Sequence, residues 1–316
     1  RARPLTFQRV AGSFTLRQFG RAGHLVEVVQ DRYNRWKQTI DAVREQGGTV
    51  TEASDFYRAE ERYWGRVGTQ IDAFEGELKG FVKAVAKDGL ALEDVALYAY
   101  AQHAEERNEY IASIRPNMPD GGSGMTTEAA DAILAEAKES GLEAELQRHA
   151  ATLRRWIQGT RDVLRDGGLI SDAEYDAWVK AYEHYIPLRG LDGVTEGAGT
   201  GKGFNIRGPE GMQAHGRRSQ AKNIVERIVQ DRVRSLVRVG KNEVLRSFAR
   251  FVLDNPDPTL WEVNAVESKP AIVVDDNGDR TVVDRESVIA DERAVTLKDD
   301  GKELHIVVKD RKLLEQ

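Results

Sequence analysis

The sequence predicts a mainly α protein, an elongated multi-helix bundle with a small C-terminal β-hairpin unit. Three observations carry this. Apolar residues recur at helical spacing through most of the chain, Gly pairs and Ser/Thr caps punctuate it at intervals of twenty to forty residues, and the pattern gives way after Asn255-Pro-Asp-Pro258 to short Val- and Ile-rich runs around Asp- and Gly-containing turns.

The elements follow in order. Phe14 to Val43 carries Phe19, Leu25, Val29, Tyr33, Trp36 and Ile40 with charges between them, a long amphipathic helix within segment 1–48 that Gly47-Gly48 stops. Thr49-Val-Thr-Glu52 offers a capping box for the next helix, which runs through Phe56, Tyr63, Trp64, Val67, Ile71, Phe74, Leu78 and Phe81 to Asp88-Gly89. An antiparallel hairpin of these two helices is expected, with the aromatics as core. Residues 49–189 then form a helical bundle. Leu92 to Ile114 is a helix; Pro116 to Gly124 is a loop dense in turn formers. Thr126 or Thr127 caps a helix ending near Gly141, and Leu142 opens one that reaches Gly167-Gly168. Ser171-Asp-Ala-Glu174 is a capping box ahead of the stripe Tyr175, Trp178, Val179 and Tyr182, with Pro187 closing the helix.

Residues 190–218 are Gly-rich and poor in apolar groups, a mobile loop or one ordered by a partner. Residues 219–257 hold a long basic helix. In the last segment, 258–316, Ala271-Ile-Val-Val274 and Thr281-Val-Val283 form one hairpin, and Val295-Thr-Leu297 and Leu304-His-Ile-Val-Val308 form another about Asp300-Gly301.

Composition narrows function more by exclusion than by indication. Without cysteine there is neither a disulfide nor a thiolate zinc site. The net charge of -6 gives no overall nucleic-acid footprint, and no apolar run is long enough to span a bilayer. The chain begins at Arg1 and stops in what reads as a helix start, so a fragment of a longer polypeptide is expected.

The chemical motifs mostly fail on inspection. Gly197-Ala-Gly-Thr-Gly-Lys-Gly203 looks like a phosphate loop, but Glu196 stands where the first Gly belongs, Gly203 replaces the magnesium-binding hydroxyl, and no strand precedes it. His103-Ala-Glu-Glu-Arg107 has Arg where a zinc helix needs its second His, and a cation there repels a metal. Asp275-Asp-Asn-Gly-Asp279 has Arg280 where a calcium loop needs Gly, so it reads as a hairpin turn. No Gly-x-Ser-x-Gly nucleophile is present, and neither a catalytic residue, a metal site nor a cofactor is expected.

Two clusters remain. Tyr98, His103, Glu106, Arg107 and Asn108 put charge and aromatic rings where a plain amphipathic helix carries Leu or Ile, so a buried structural network is expected, with Glu105 or Glu106 pairing with Arg107 or with another helix. Arg217 to Arg250 holds ten Lys/Arg against three Asp/Glu. Most such runs are solvated or internally paired faces; the functional alternative is non-specific contact with DNA phosphates or an acidic partner through Arg217, Arg218, Lys222 and Arg227.

The stretches Tyr-Ala-Gln-His-Ala-Glu-Glu-Arg-Asn at 100–108, Gly-Ser-Gly-Met with the following Glu-Ala at 122–129, Gly-Leu-Ile at 168–170, Tyr-x-x-Tyr-Ile-Pro-Leu at 182–188 and Gly-Arg-Arg-Ser at 216–219 together resemble the helical segments of large polyvalent proteins of tailed bacteriophages and prophages. The resemblance spans residues 15–315. It implies a structural or interaction module of a virion-internal, ejected protein, packed against other copies of itself, other virion proteins or DNA, and delivered into the host cytoplasm or periplasm. It brings no catalytic residues. A phage-delivered nucleic-acid or peptidoglycan hydrolase, with its site where the 92–114 helix meets the 190–219 loop, and a toxin-associated binding module stay open as alternatives.

Overall fold

The computed structural model describes residues 34–188, Ile206, Glu210, Gly216, 220–265, 268–274, 280–286 and 294–314. It is mainly helical, with a small antiparallel sheet near the C-terminus. The helices are α1 (Asn34–Glu45), α2 (Phe56–Lys87), α3 (Leu92–Ile114), α4 (Thr127–Glu139), α5 (Glu143–Asp166), α6 (Asp172–Ala181), α7 (Ile224–Asp254) and the short α8 (Arg311–Leu314). The strands are β1 (Trp261–Ala265), β2 (Ser268–Val274), β3 (Arg280–Glu286), β4 (Ala294–Asp299) and β5 (Lys302–Val308).

The long partner of α2 is α7. They pack tightly at Gly240, where a Cβ would fall 2.5 Å from Val67 Cγ2 and 2.6 Å from the Tyr63 ring. The antiparallel hairpin expected between the first two helices falls mostly on residues outside those described, since the first helix is described only from Asn34. In its described part α1 meets the start of α2 through Trp36 and Phe56 and turns its apolar face to α7 and the C-terminus; Trp36 Nε1 donates to the Leu313 carbonyl at 2.9 Å. The part of that stripe before Asn34 lies outside the described residues.

One core joins Phe74, Phe81, Tyr98, Tyr100, Leu153 and Trp156 with the N-terminal half of α7, at Ile224 and Ile228. A second joins Trp36, Phe56 and Leu164 with Phe248, Phe251 and Val252 of the C-terminal half and with Trp261, Leu297, Ile306 and Val308 of the sheet. Edge-to-face ring pairs 5.0 to 5.5 Å apart run from Trp36 and Phe56 through Phe248 and Phe251 to Trp261. Asn242 adds a polar tie, donating to the carbonyls of Gly167 and Lys298 and accepting from Lys298 N–H.

The sheet order is β1-β5-β4, with β2 and β3 as a separate two-stranded ribbon. Both expected hairpins are present, and Asp300 and Gly301 both take the positive φ that a tight Asp-Gly turn requires. Strand β1, which the sequence did not signal, pairs with β5. The Asp275–Asp279 turn lies outside the described residues.

Three element ends differ from expectation. The cap of α2 is Asp55, whose side chain accepts from Arg58 N–H at 3.1 Å, because Thr51 and Ser54 are engaged with each other in the preceding turn. Helix α7 starts at Ile224 after Asn223, which sits at φ 55, and not at Ser219. Helix α6 opens with the expected box, Ser171 and Glu174 bonding each other's backbone, but it ends at Ala181, ahead of Pro187. The next backbone N–H groups are taken by a carboxylate on α3.

Candidate functional site

That carboxylate is Glu106. It accepts from Glu183 N–H at 3.2 Å, from His184 N–H at 3.2 Å, from the His184 ring through Nδ1 at 3.0 Å and from His103 Nδ1 at 3.3 Å. Both imidazoles present Nδ1–H to an ionised acceptor, which fixes their tautomers and leaves Nε2 as the basic nitrogen of each. Burial alone would raise the Glu106 carboxyl, but the hydrogen bonds from His103, His184 and the His184 backbone outweigh it and hold the group at about 2. His103 is 1% exposed; burial pushes its pKa down against the opposing pull of Glu106, so it stays neutral.

The tyrosines of the 182–188 segment enclose His103. Tyr182 and Tyr185 lie edge-to-face to its ring at 4.9 and 5.4 Å. Arg107 is half-buried and donates to Tyr182 Oη at 3.1 Å, so its partner is a phenol and not the expected Glu105 or Glu106; Glu105 is exposed. From α5, Arg154 donates to Gln102 Oε1 at 2.7 Å, and Arg161 lies over the Tyr185 ring at 4.6 Å.

Asn108, next in sequence, serves a different partner. Its Nδ2 donates to Asp120, the Met125 carbonyl and Thr127, while its Oδ1 accepts from Ser123 N–H at 2.8 Å. Tyr100 donates to the Ser123 carbonyl at 2.8 Å. The Gly-Gly-Ser-Gly run is needed for this fit: a Cβ on Gly122 would sit 2.5 Å from Ile111 Cβ, and Gly121 and Gly124 take φ of 75 and 91.

The structure thus divides the expected cluster. His103, Glu106 and Arg107 face the 182–185 segment and Asn108 holds the 120–127 loop. Tyr98 stands apart in the core, 3% exposed, accepting only a long 3.5 Å bond from Gln102. Glu106, Glu183 and His184 each offer one ligand atom within 4.8 Å of the others, the spacing of a cation site, although the Glu106 oxygens already accept four donors.

Of the proposed basic contacts, Arg217 and Arg218 lie outside the described residues; Lys222 is exposed and Arg227 half-buried. Further along α7 the cations turn inward. Arg232 donates to the Gly159 carbonyl, Arg246 pairs with Asp299 at 2.8 Å, and Arg238 and Lys298 share Glu210 from the Gly-rich segment. Ile206 anchors the same segment, fully buried and donating its N–H to the Thr296 carbonyl at 2.8 Å. The sequence reading foresaw neither anchor.

His184, Tyr182, Tyr185, Arg154 and Arg161 were missed as site residues. For Tyr182, His184 and Tyr185 the only signal was the Tyr-x-x-Tyr-Ile-Pro-Leu run itself; Arg154 and Arg161, on α5, had none. Compared with protein-family models, with curated proteins and with solved structures, the chain matches none. No described helix is long and apolar enough to cross a membrane.

Proposed function

We propose that the chain is a non-enzymatic assembly module of a bacteriophage virion-internal protein, packed near the genome and delivered with it. One observation supports the non-enzymatic part: apart from the exposed Glu105, the polar side chains of the 100–108 motif are engaged within the chain. Glu106 closes the 182–185 segment onto α3, and Asn108 and Tyr100 close the 120–127 loop onto the same helix. The motif then works as a clasp that keeps a rigid surface for other copies or other virion proteins. The phage setting rests on the resemblance of these same motifs to large polyvalent proteins.

Mass spectrometry of purified, protease-treated particles tests this reading. Peptides from 92–188 should be protected from external protease and released when the particles are opened by heat. Recovery of these peptides only from host lysate would overturn it.

A second reading, a hydrolase acting on nucleic acid or peptidoglycan, is favoured by one observation. With Nδ1 held at 3.0 Å from Glu106 and the ring 32% exposed, His184 has the arrangement of an oriented general base. Plasmid nicking or peptidoglycan release by the wild-type chain, lost in His184→Ala, would replace the assembly reading with this one.

A further inference from the structure

Arg161 lies on α5 with its guanidinium carbon 4.6 Å from the centroid of the Tyr185 ring. The side chain is half-buried, and burial lowers its pKa. A guanidinium carries five N–H donors. Among the described residues Arg161 makes no hydrogen bond with any of them. The carboxylate beside it in sequence, Asp162, instead accepts from Gln158 at 3.2 Å and from Tyr175 at 2.7 Å.

The half-buried guanidinium thus keeps its donors for solvent or for a ligand. The ring under it belongs to a layer: Tyr185 stacks on Tyr182 at 5.9 Å and 27°, and Arg107 lies over Tyr182 at 6.0 Å. Neither guanidinium makes a salt bridge with a described carboxylate, although the charge of Asp162 acts on Arg161. Glu106 is saturated by His103, His184 and the backbone, and the Arg107 bond goes to a neutral phenol.

We infer that the Arg161 face of this arginine–tyrosine layer is a binding site for a phosphoryl-bearing anion, with the Arg161 guanidinium as its contact. The planar guanidinium fork matches the oxygens of phosphate bidentately, and stacking on Tyr185 holds the fork in place. Phosphoryl groups fit better than a carboxylate because they carry more charge and more acceptor oxygens, so one ligand can take several of the five guanidinium donors. The inference does not depend on the assembly reading, since an assembly module and a hydrolase could each use such a site.

The test is calorimetry and thermal shift on the full 316-residue chain, with sodium pyrophosphate and inorganic phosphate as probes and sodium acetate at equal ionic strength as the carboxylate arm. Pyrophosphate should bind and raise Tm, with phosphate weaker and acetate without effect. Arg161→Gln should weaken pyrophosphate binding at least tenfold. Arg155→Gln, at an exposed arginine on the same helix, should leave it unchanged. Should Arg161→Gln fail to fold by circular dichroism, Arg161→Lys decides: it keeps the charge, loses the fork and should bind several-fold more weakly than wild type. Absence of pyrophosphate binding, equal binding by the Arg161 variants, or acetate acting as well as pyrophosphate each overturns the assignment.

Discussion

Glu106 holds His184 twice, accepting from its backbone N–H at 3.2 Å and from its ring Nδ1 at 3.0 Å, across 78 residues of sequence. A side chain on the middle of one helix thereby acts as the terminus of another segment. The donors at 183 and 184 would otherwise have continued α6.

Replacing that carboxylate should therefore cost more than a surface charge does. Glu106→Gln leaves one imidazole N–H facing an amide NH2 and weakens the bonds from 183 and 184. A loss of about 2–4 kcal/mol is expected, as for breaking a charge-assisted, partly buried network. Urea denaturation followed by circular dichroism measures it; a change under about 0.5 kcal/mol, the range of ordinary surface substitutions, would contradict the clasp.

The same network sets the response to acid. Glu106 has a folded pKa depressed from 4.5 to about 2, so its contribution is present above 4.5 and disappears as pH falls toward 2. His103 is also depressed, from 6.5; the unfolded chain takes up its proton first, so stability declines as pH drops below 6.5. Tm should fall in two stages, below about 6.5 and again below about 4.5. His103→Phe should remove the upper stage and keep the lower one, and a Tm flat between pH 7 and 3 would exclude both.

Asn108→Ala removes four bonds to the 120–127 loop and leaves the buried Ser123 N–H without its acceptor. A destabilisation of about 3 kcal/mol is expected. Gly122→Ala should be comparably harmful because of Ile111, and Ile111→Ala in the same chain should recover part of the loss. A double-mutant cycle reads the coupling, and simple additivity would mean that the two residues do not touch.

Arg107→Ala should be milder. A buried pairing with a carboxylate would put the loss at about 3 kcal/mol or more, but the side chain is half-buried and its partner is the Tyr182 hydroxyl, which brings the expectation to about 1 kcal/mol. Thermal melts of the variant beside Glu106→Gln give the order directly.

Glu210 is the opposite case. Its carboxylate is 7% exposed, between Arg238 and Lys298 at 4% and 6%. Glu210→Gln removes the carboxylate that two buried cations share and should cost about 2–4 kcal/mol. A smaller loss at low salt than at high salt would count against an ionic origin.

Periodicity carried the helices because it is a local property. The α2 stripe from Phe56 to Phe81, the Ser171 box and the Asp300-Gly301 turn all lie within a few residues of the groups they organise. The site was less legible. Tyr98, His103 and Arg107 look adjacent on a helix drawn from sequence, yet what each one does is decided by partners such as Tyr182, 75 residues from Arg107. Nothing within the 92–114 helix distinguishes a residue that meets the 120–127 loop from one that meets residue 184.

Helix α7 reaches about 46 Å at 1.5 Å per residue over its 31 residues. Ile224 and Ile228 are fixed in one core, and Phe248 and Phe251 in the other. One residue inserted between them would turn everything downstream by about 100° and carry Phe248 and Phe251 round toward solvent. The stretch from 229 to 247 is in this sense a ruler: its side chains can change while its count cannot, and length variants of this protein should arise in its loops and not in this helix.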